Sequence, residues 1–365
     1  MNIIDFDISE LSIELKKPFI TSLRRVDAIN DIIIRILTDS EFYGYGEACA
    51  VTAITGKTNE DIIKDLKKTI FPLLKNKELN TQLLKTINSL DVSSEAKACI
   101  DMAIYDLLAK ESNQSLFSYL GAKTSSLQTD LTISVNEASI MAEDAVEAIS
   151  QGFRVLKVKL DSDIEKNILR LNNINNIIPA STKLRLDPNQ ALTLDTCLQM
   201  LSAVRTDNIE CIEQPFSSTD IKSMKFLKDK NIVPVLADES LFNSADARQL
   251  LASNSIDMSN IKLMKCGGIY EAINIAKVAK EYKTECMIGS MLEGPISLLA
   301  AAHFGLSQDN VTMADLDSPL YLKEHPLLKP FNLEKDKINL DNELGLGIDN
   351  IIYSLEYLFE KQFLL

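Results

Sequence analysis

The chain has 365 residues, 46% hydrophobic and 25% charged, which excludes a disordered protein and leaves ample length for a large core. Asp and Glu outnumber Lys and Arg 52 to 38, a formal charge of −14, which excludes nucleic acid as a main partner. No apolar run reaches the ~18 residues of a membrane span, and Asp5 and Asp7 interrupt the N-terminal segment, so no secretory signal and a cytoplasmic setting are expected. None of the six cysteines has C-x-x-C spacing, and they read as reduced core residues. The two histidines exclude a His-rich metal site, and His303, inside an apolar helix, reads as structural.

Ile3–Ile8 and Asp31–Leu37 alternate as strands, with a hairpin turn at Asp39-Ser40-Glu41. Apolar spacing then turns helical over residues 59–76, 80–90 and 93–112. Strands followed by a helix cluster predict an α+β capping domain over residues 1–122. From there short apolar strands recur near Ile133, Lys157, Leu186, Ile212, Leu236, Ile261, Met287 and Met313, with helical stretches between them. Eight strand–helix units at about 25 residues each predict an α/β protein with a (β/α)8-type, TIM-like barrel over residues 123–320. The tail, 321–365, is expected to pack back on the cap and to end in an apolar helix from about 349 to 362.

Catalytic groups of such barrels sit at the C-terminal ends of strands. Asp187, Glu213 and Asp238 end three consecutive strands and are expected to converge there. Three carboxylates repel one another unless a cation holds them, and an all-oxygen set without His or Cys points to Mg2+. Lys157 and Lys159, two residues apart, share a strand face. Lys262 lies on the strand opposite in an eight-strand ring. A lysine inside a barrel is expected to have a lowered pKa, which suits a base. Lys159, nearer the strand end, is the expected base, with Lys157 as an ammonium that disfavours its protonation. A metal that holds a carboxylate stabilises the enediolate left when its α-proton departs, and bases on both faces allow inversion. The residues thus predict a racemase or epimerase.

In order and spacing, Lys157-x-Lys159, Asp187, Glu213, Asp238 and Lys262 resemble the catalytic pattern of the enolase superfamily, in its muconate-lactonising subgroup. Further segments resemble the dipeptide epimerases of the L-Ala-D/L-Glu type. Lys17–Arg24 is similar to that group's mobile N-terminal loop, which implies that Arg24 (or its neighbour Arg25) meets a substrate carboxylate. Thr132 on the first barrel strand and Ser290 after the seventh match substrate-contacting positions. Asp315 and Asp317 match an Asp-x-Asp that receives the dipeptide's ammonium. Two residues apart on one strand, they would share a face, and one ammonium can satisfy both. The resemblance implies Mg2+-dependent epimerisation of Ala-Glu-like dipeptides, such as cell-wall (murein) peptide fragments, by a homo-oligomer.

Rivals with the same lysines and metal are o-succinylbenzoate synthase, N-acylamino-acid racemase and muconate cycloisomerase, whose substrates offer no free amine to Asp315 and Asp317. A non-catalytic, ligand-binding barrel is the alternative of a different class. Gly56-Lys57-Thr58 is no phosphate loop, because Val51 stands where its first glycine belongs. Gly267-Gly268 reads as turn chemistry.

Overall fold

The computed structural model describes residues 1–20, 25–352 and 359. It opens with a three-stranded antiparallel sheet of β1 (Ile3–Ile20), β2 (Arg25–Thr38) and β3 (Tyr43–Ala48). The expected hairpin turn joins β2 to β3. β1 runs well past the predicted strand because Leu11, Ile13 and Leu15 continue its buried alternation, between exposed Ser12, Glu14 and Lys16. The segment expected as a loop thus begins as ribbon, with Phe19 paired to Val26. The helix Ser94–Glu111 packs on β3. That approach needs glycine: a β-carbon on Gly46 would stand 1.8 Å from the carbonyl oxygen of Cys99.

After β4 (Ser126–Gln128), eight parallel strands form one sheet in sequence order. They are β5 (Leu131–Ile133), β6 (Val155–Lys159), β7 (Lys183–Asp187), β8 (Ile209–Glu213), β9 (Val235–Ala237), β10 (Met258–Lys262), β11 (Cys286–Gly289) and β12 (Val311–Asp315). Each contains, or ends within one residue of, its predicted centre. A parallel bridge from Thr129 to Ala314 closes the ring. Side-chain caps start several outer helices, as where Asn243 and Asp246 form a reciprocal box before Ser244–Ala252. The eighth unit departs from the expected rhythm: the helix that directly follows β12, Ser318–Tyr321, has four residues. Cys211, Leu236, Met258, Met287 and Met313 form a separate apolar cluster of barrel-strand residues.

Beyond the barrel, β13 (Asn332–Glu334) and β14 (Lys337–Asn339) pair onto β4. The tail touches the cap as well: buried Lys110 holds Asp106 and Asp349, each at 2.8 Å, and Asp106 accepts the N–H of Leu346. Of the expected terminal helix, Asp349–Ile352 and residue 359 are described. All six cysteines are buried. His303 is buried, its Nδ1 accepting the N–H of Phe117 at 2.9 Å, and burial pushes the imidazole down to about 3.

An unfolded histidine binds its proton near pH 6.5, whereas His303 resists it in the fold. Its contribution to stability is therefore complete above about pH 6.5 and is lost as pH falls towards 3. His303→Leu should cost about 1–3 kcal/mol at neutral pH, because the buried Phe117 N–H loses its acceptor, and should flatten that acid loss. Denaturant titrations at several pH values check this, and equal slopes for both chains would place the acid sensitivity elsewhere.

Candidate active site

Strand alternation carries Lys157 and Lys159 to the inner face of β6, with Lys159 in register with Asp187 on β7. β6 and β10 stand four places apart in the ring of eight, so Lys262 faces the lysine pair across the mouth. Lys157 contacts Asp187 at 3.0 Å and both Glu213 and Asp315 at 2.7 Å. Lys159 reaches Asp187 at 2.5 Å. Lys262 reaches Asp238 at 2.8 Å and Glu213 at 4.0 Å. All these groups are buried.

At Lys157 and Lys262 the expected lowering of lysine pKa is not what this arrangement produces. Desolvation does lower Lys157 and Lys262, but carboxylates outweigh it: Asp315, Glu213 and Asp187 hold Lys157 well above its ordinary value, and Asp238 and Glu213 raise Lys262. Lys157 is therefore no free ammonium set against Lys159; three carboxylates neutralise it. Burial is overcome in the opposite sense at Asp187, brought down to about 2 by Lys159 and Lys157. Glu213 is pushed up to about 7 by burial and by Asp187, with Lys157 only partly offsetting them.

Asp187 and Glu213 end β7 and β8, and Asp238 directly follows β9, each drawn to a lysine. The oxygens within 4.8 Å of one another, among the described residues, belong instead to Asp130, Asp315 and Asp317. Each of these has a donor at hand: Arg185, Lys157, and the Thr132 N–H, respectively. Beside Asp238, buried Glu239 has neither carboxyl oxygen hydrogen-bonded. Asp238 and Asp187 add to the burial that pushes Glu239 up to about 8. A hard-oxygen set with an orphaned buried carboxyl beside it is short of positive charge, and it fits a divalent cation.

Asp315 ends β12, but Asp317 lies beyond the strand, at the start of the turn Ser318–Tyr321, so the shared strand face does not hold. The turn nevertheless brings both to one cavity, lined also by Thr132, Lys157, Lys159, Lys262 and Ser290. Asp317 accepts the Thr132 N–H at 2.6 Å and the Tyr321 hydroxyl at 3.0 Å; burial, then Asp315, pushes it up to about 6. Phe19, Val51, Met291 and Leu292 supply the apolar wall. Arg24 lies outside the described residues; Arg25 is exposed and paired with Asp27 at 3.0 Å.

Several residues here escaped the sequence reading. Asp130, ion-paired to Arg185 at 2.8 Å, and Asn260, which donates to Glu213 at 2.9 Å, stand two residues before Thr132 and Lys262. The same i, i+2 rule would have found them. Lys265, 2.5 Å from Asp238, and Tyr321 carried no such signal, since both lie past strand ends.

A capped eight-strand barrel with facing lysines and strand-end carboxylates in its mouth defines the class: an α/β-barrel enzyme with a charged, buried centre. Residues 3–121 match the family described as mandelate racemase / muconate lactonizing enzyme, N-terminal domain, and residues 140–350 match enolase C-terminal domain-like. The chain belongs to the enolase superfamily. It is 35% identical over 356 residues to an L-Ala-D/L-Glu epimerase of Clostridium acetobutylicum, covering 96% of this chain and 99% of that one. A dipeptide epimerase of Enterococcus faecalis, solved with Mg and L-Leu-L-Tyr, overlays with a TM-score of 0.90 at 33% identity, covering 95% and 99% of the two chains. An N-succinyl Arg/Lys racemase of Bacillus cereus overlays with a TM-score of 0.93 at 29% identity, covering 99% and 98%.

Proposed function

We propose that the chain is a Mg2+-dependent dipeptide epimerase acting on L-Ala-D/L-Glu-like dipeptides, including fragments of cell-wall peptide, as a cytoplasmic homo-oligomer. The observation that carries this is one cavity bearing Lys159 and Lys262 on opposing strands together with Asp315 and Asp317. Asp187, Glu213 and Asp238 would hold Mg2+, which when bound supplies positive charge to the substrate's carboxylate and to the carboxylates that otherwise hold the lysines. Lys159 and Lys262 each serve one face of the α-carbon next to that carboxylate: one removes the proton, the other returns one from the opposite side. Lys157 supports them and orients the carboxylate from below. Asp315 and Asp317 receive the free ammonium, Thr132 and Ser290 contact the substrate, and Arg24 meets an acidic side chain. The activities of these relatives and the Mg-bound dipeptide complex support this reading.

An N-acylamino-acid racemase is the second reading, favoured by the overlay on the Bacillus cereus racemase. Free amines separate the two. A panel of dipeptides and their N-acetyl forms, incubated in D2O and read by mass gain at the α-carbon, should show exchange of the free forms. Asp317→Asn should lower kcat/KM for free dipeptides roughly ten- to a hundred-fold, the worth of one buried charge-assisted contact, and leave N-acetyl forms nearly unaffected. Equal turnover of free and N-acetylated substrates by the unaltered enzyme favours the racemase.

A further inference from the structure

Cap and barrel meet over three buried carboxyl groups to which the proposed reaction assigns no step. Asp31 lies on β2, Glu47 on β3, and Glu293 just before the helix Pro295–Ser307; each is at most 1% exposed. Glu47 Oε2 accepts the N–H groups of Ile296 at 2.8 Å and Ser297 at 2.9 Å. Asp31 Oδ2 accepts that of Gly294 at 2.8 Å, and Glu293 Oε1 that of Met291 at 2.7 Å. Cys49 on the cap adds a contact, its Sγ donating to the carbonyl of Leu292 at 3.3 Å. Every one of these bonds ends on residues 291–297.

The packing is close. A β-carbon on Gly294 would stand 2.0 Å from Glu47 Oε1, so only glycine lets the carboxyl reach the first turn of the helix. Free N–H groups at a helix start suit carboxylates, yet among the described residues no Lys or Arg pairs with any of the three. Burial pushes Glu47 up to about 8 and Glu293 to about 7. Three unpaired buried carboxyls are an expensive way to cap one helix. The segment they hold explains the arrangement: Ser290, Met291 and Leu292 form a wall of the substrate cavity. The barrel side of that wall is tied by the Ser290 N–H to the carbonyl of Asp315 at 3.1 Å.

We infer that Asp31, Glu47 and Glu293 are positioning residues by which the cap sets the Ser290–Leu292 wall, and so governs the fit of the substrate's side chains rather than proton transfer. For the identity of the substrate this rests on the epimerase reading. Glu47→Ala should raise KM about tenfold, because the Ile296 and Ser297 amides lose their acceptor and the wall that meets substrate is no longer held in place. It should change kcat less than about threefold, a split that marks lost uniform binding. Deuterium exchange at the amides of Ile296 and Ser297 should accelerate in parallel. Glu47→Gln, which keeps an acceptor oxygen, should restore both. Asp31→Ala frees only the Gly294 amide and should show the same pattern more weakly, which covers a Glu47→Ala chain that does not fold. Unchanged amide exchange in both alanine variants, or a loss confined to kcat, overturns the inference. An unaltered chain that exchanges no dipeptide α-proton overturns the epimerase reading instead, while amide exchange at Gly294, Ile296 and Ser297 still decides the clamp.

Discussion

Lys262→Ala and Lys159→Ala are each expected to abolish epimerisation while sparing α-proton exchange of one epimer. A positioned general base contributes typically about 10²–10⁴-fold, and inversion needs both faces of the α-carbon served. The two lysines sit on β10 and β6, on opposite sides of the ring, and line the same cavity. Each removal also takes one of two lysines from a buried carboxylate, leaving Asp238 to Lys265 or Asp187 to Lys157, which destabilises the chain. The exchange assay separates the effects: a chain that still incorporates deuterium into one epimer is folded and holds substrate. The two variants should exchange opposite epimers. If either epimerises at near the unaltered rate, the two-base reading is wrong.

Removing Mg2+ is expected to have an effect of the same size. Excess chelator should abolish turnover, and Mg2+ should restore it. Asp238→Asn should lose calorimetric Mg2+ binding and activity together, because Asp187 and Glu213 end β7 and β8, Asp238 directly follows β9, and the three would share the ion. In this substitution Lys262 and Lys265 lose a full negative charge at 2.8 and 2.5 Å, so a thermal melt must accompany it. Full turnover in chelator would remove the metal from the reading and favour lysine-only chemistry.

The charged mouth was legible in the sequence because strand geometry is local. Side chains two apart share a face, and the C-terminal ends of parallel strands converge. Lys157, Lys159, Asp187, Glu213, Asp238 and Lys262 could therefore be placed from spacing, and the eight strands from their rhythm. Where the local rule was carried one step too far it failed: Asp317 reaches the cavity through a turn, and the eighth helix shrinks to Ser318–Tyr321.

What the amino-acid sequence determined by itself was the set of elements, the inner face of each strand and the residue types at the mouth, all of which depend on a period of a few residues. Closure of the barrel and docking of the cap decided the rest. Lys157 meets Asp315 across 158 residues of chain, and that partner, with Glu213 and Asp187, outweighs the desolvation that burial imposes on it. Glu47 meets Ile296 across 249 residues and Asp31 meets Gly294 across 263. In a buried site the balance between desolvation and neighbouring charge sets which groups are ionised. That balance belongs to contacts made only when distant segments pack, so no local pattern contains it.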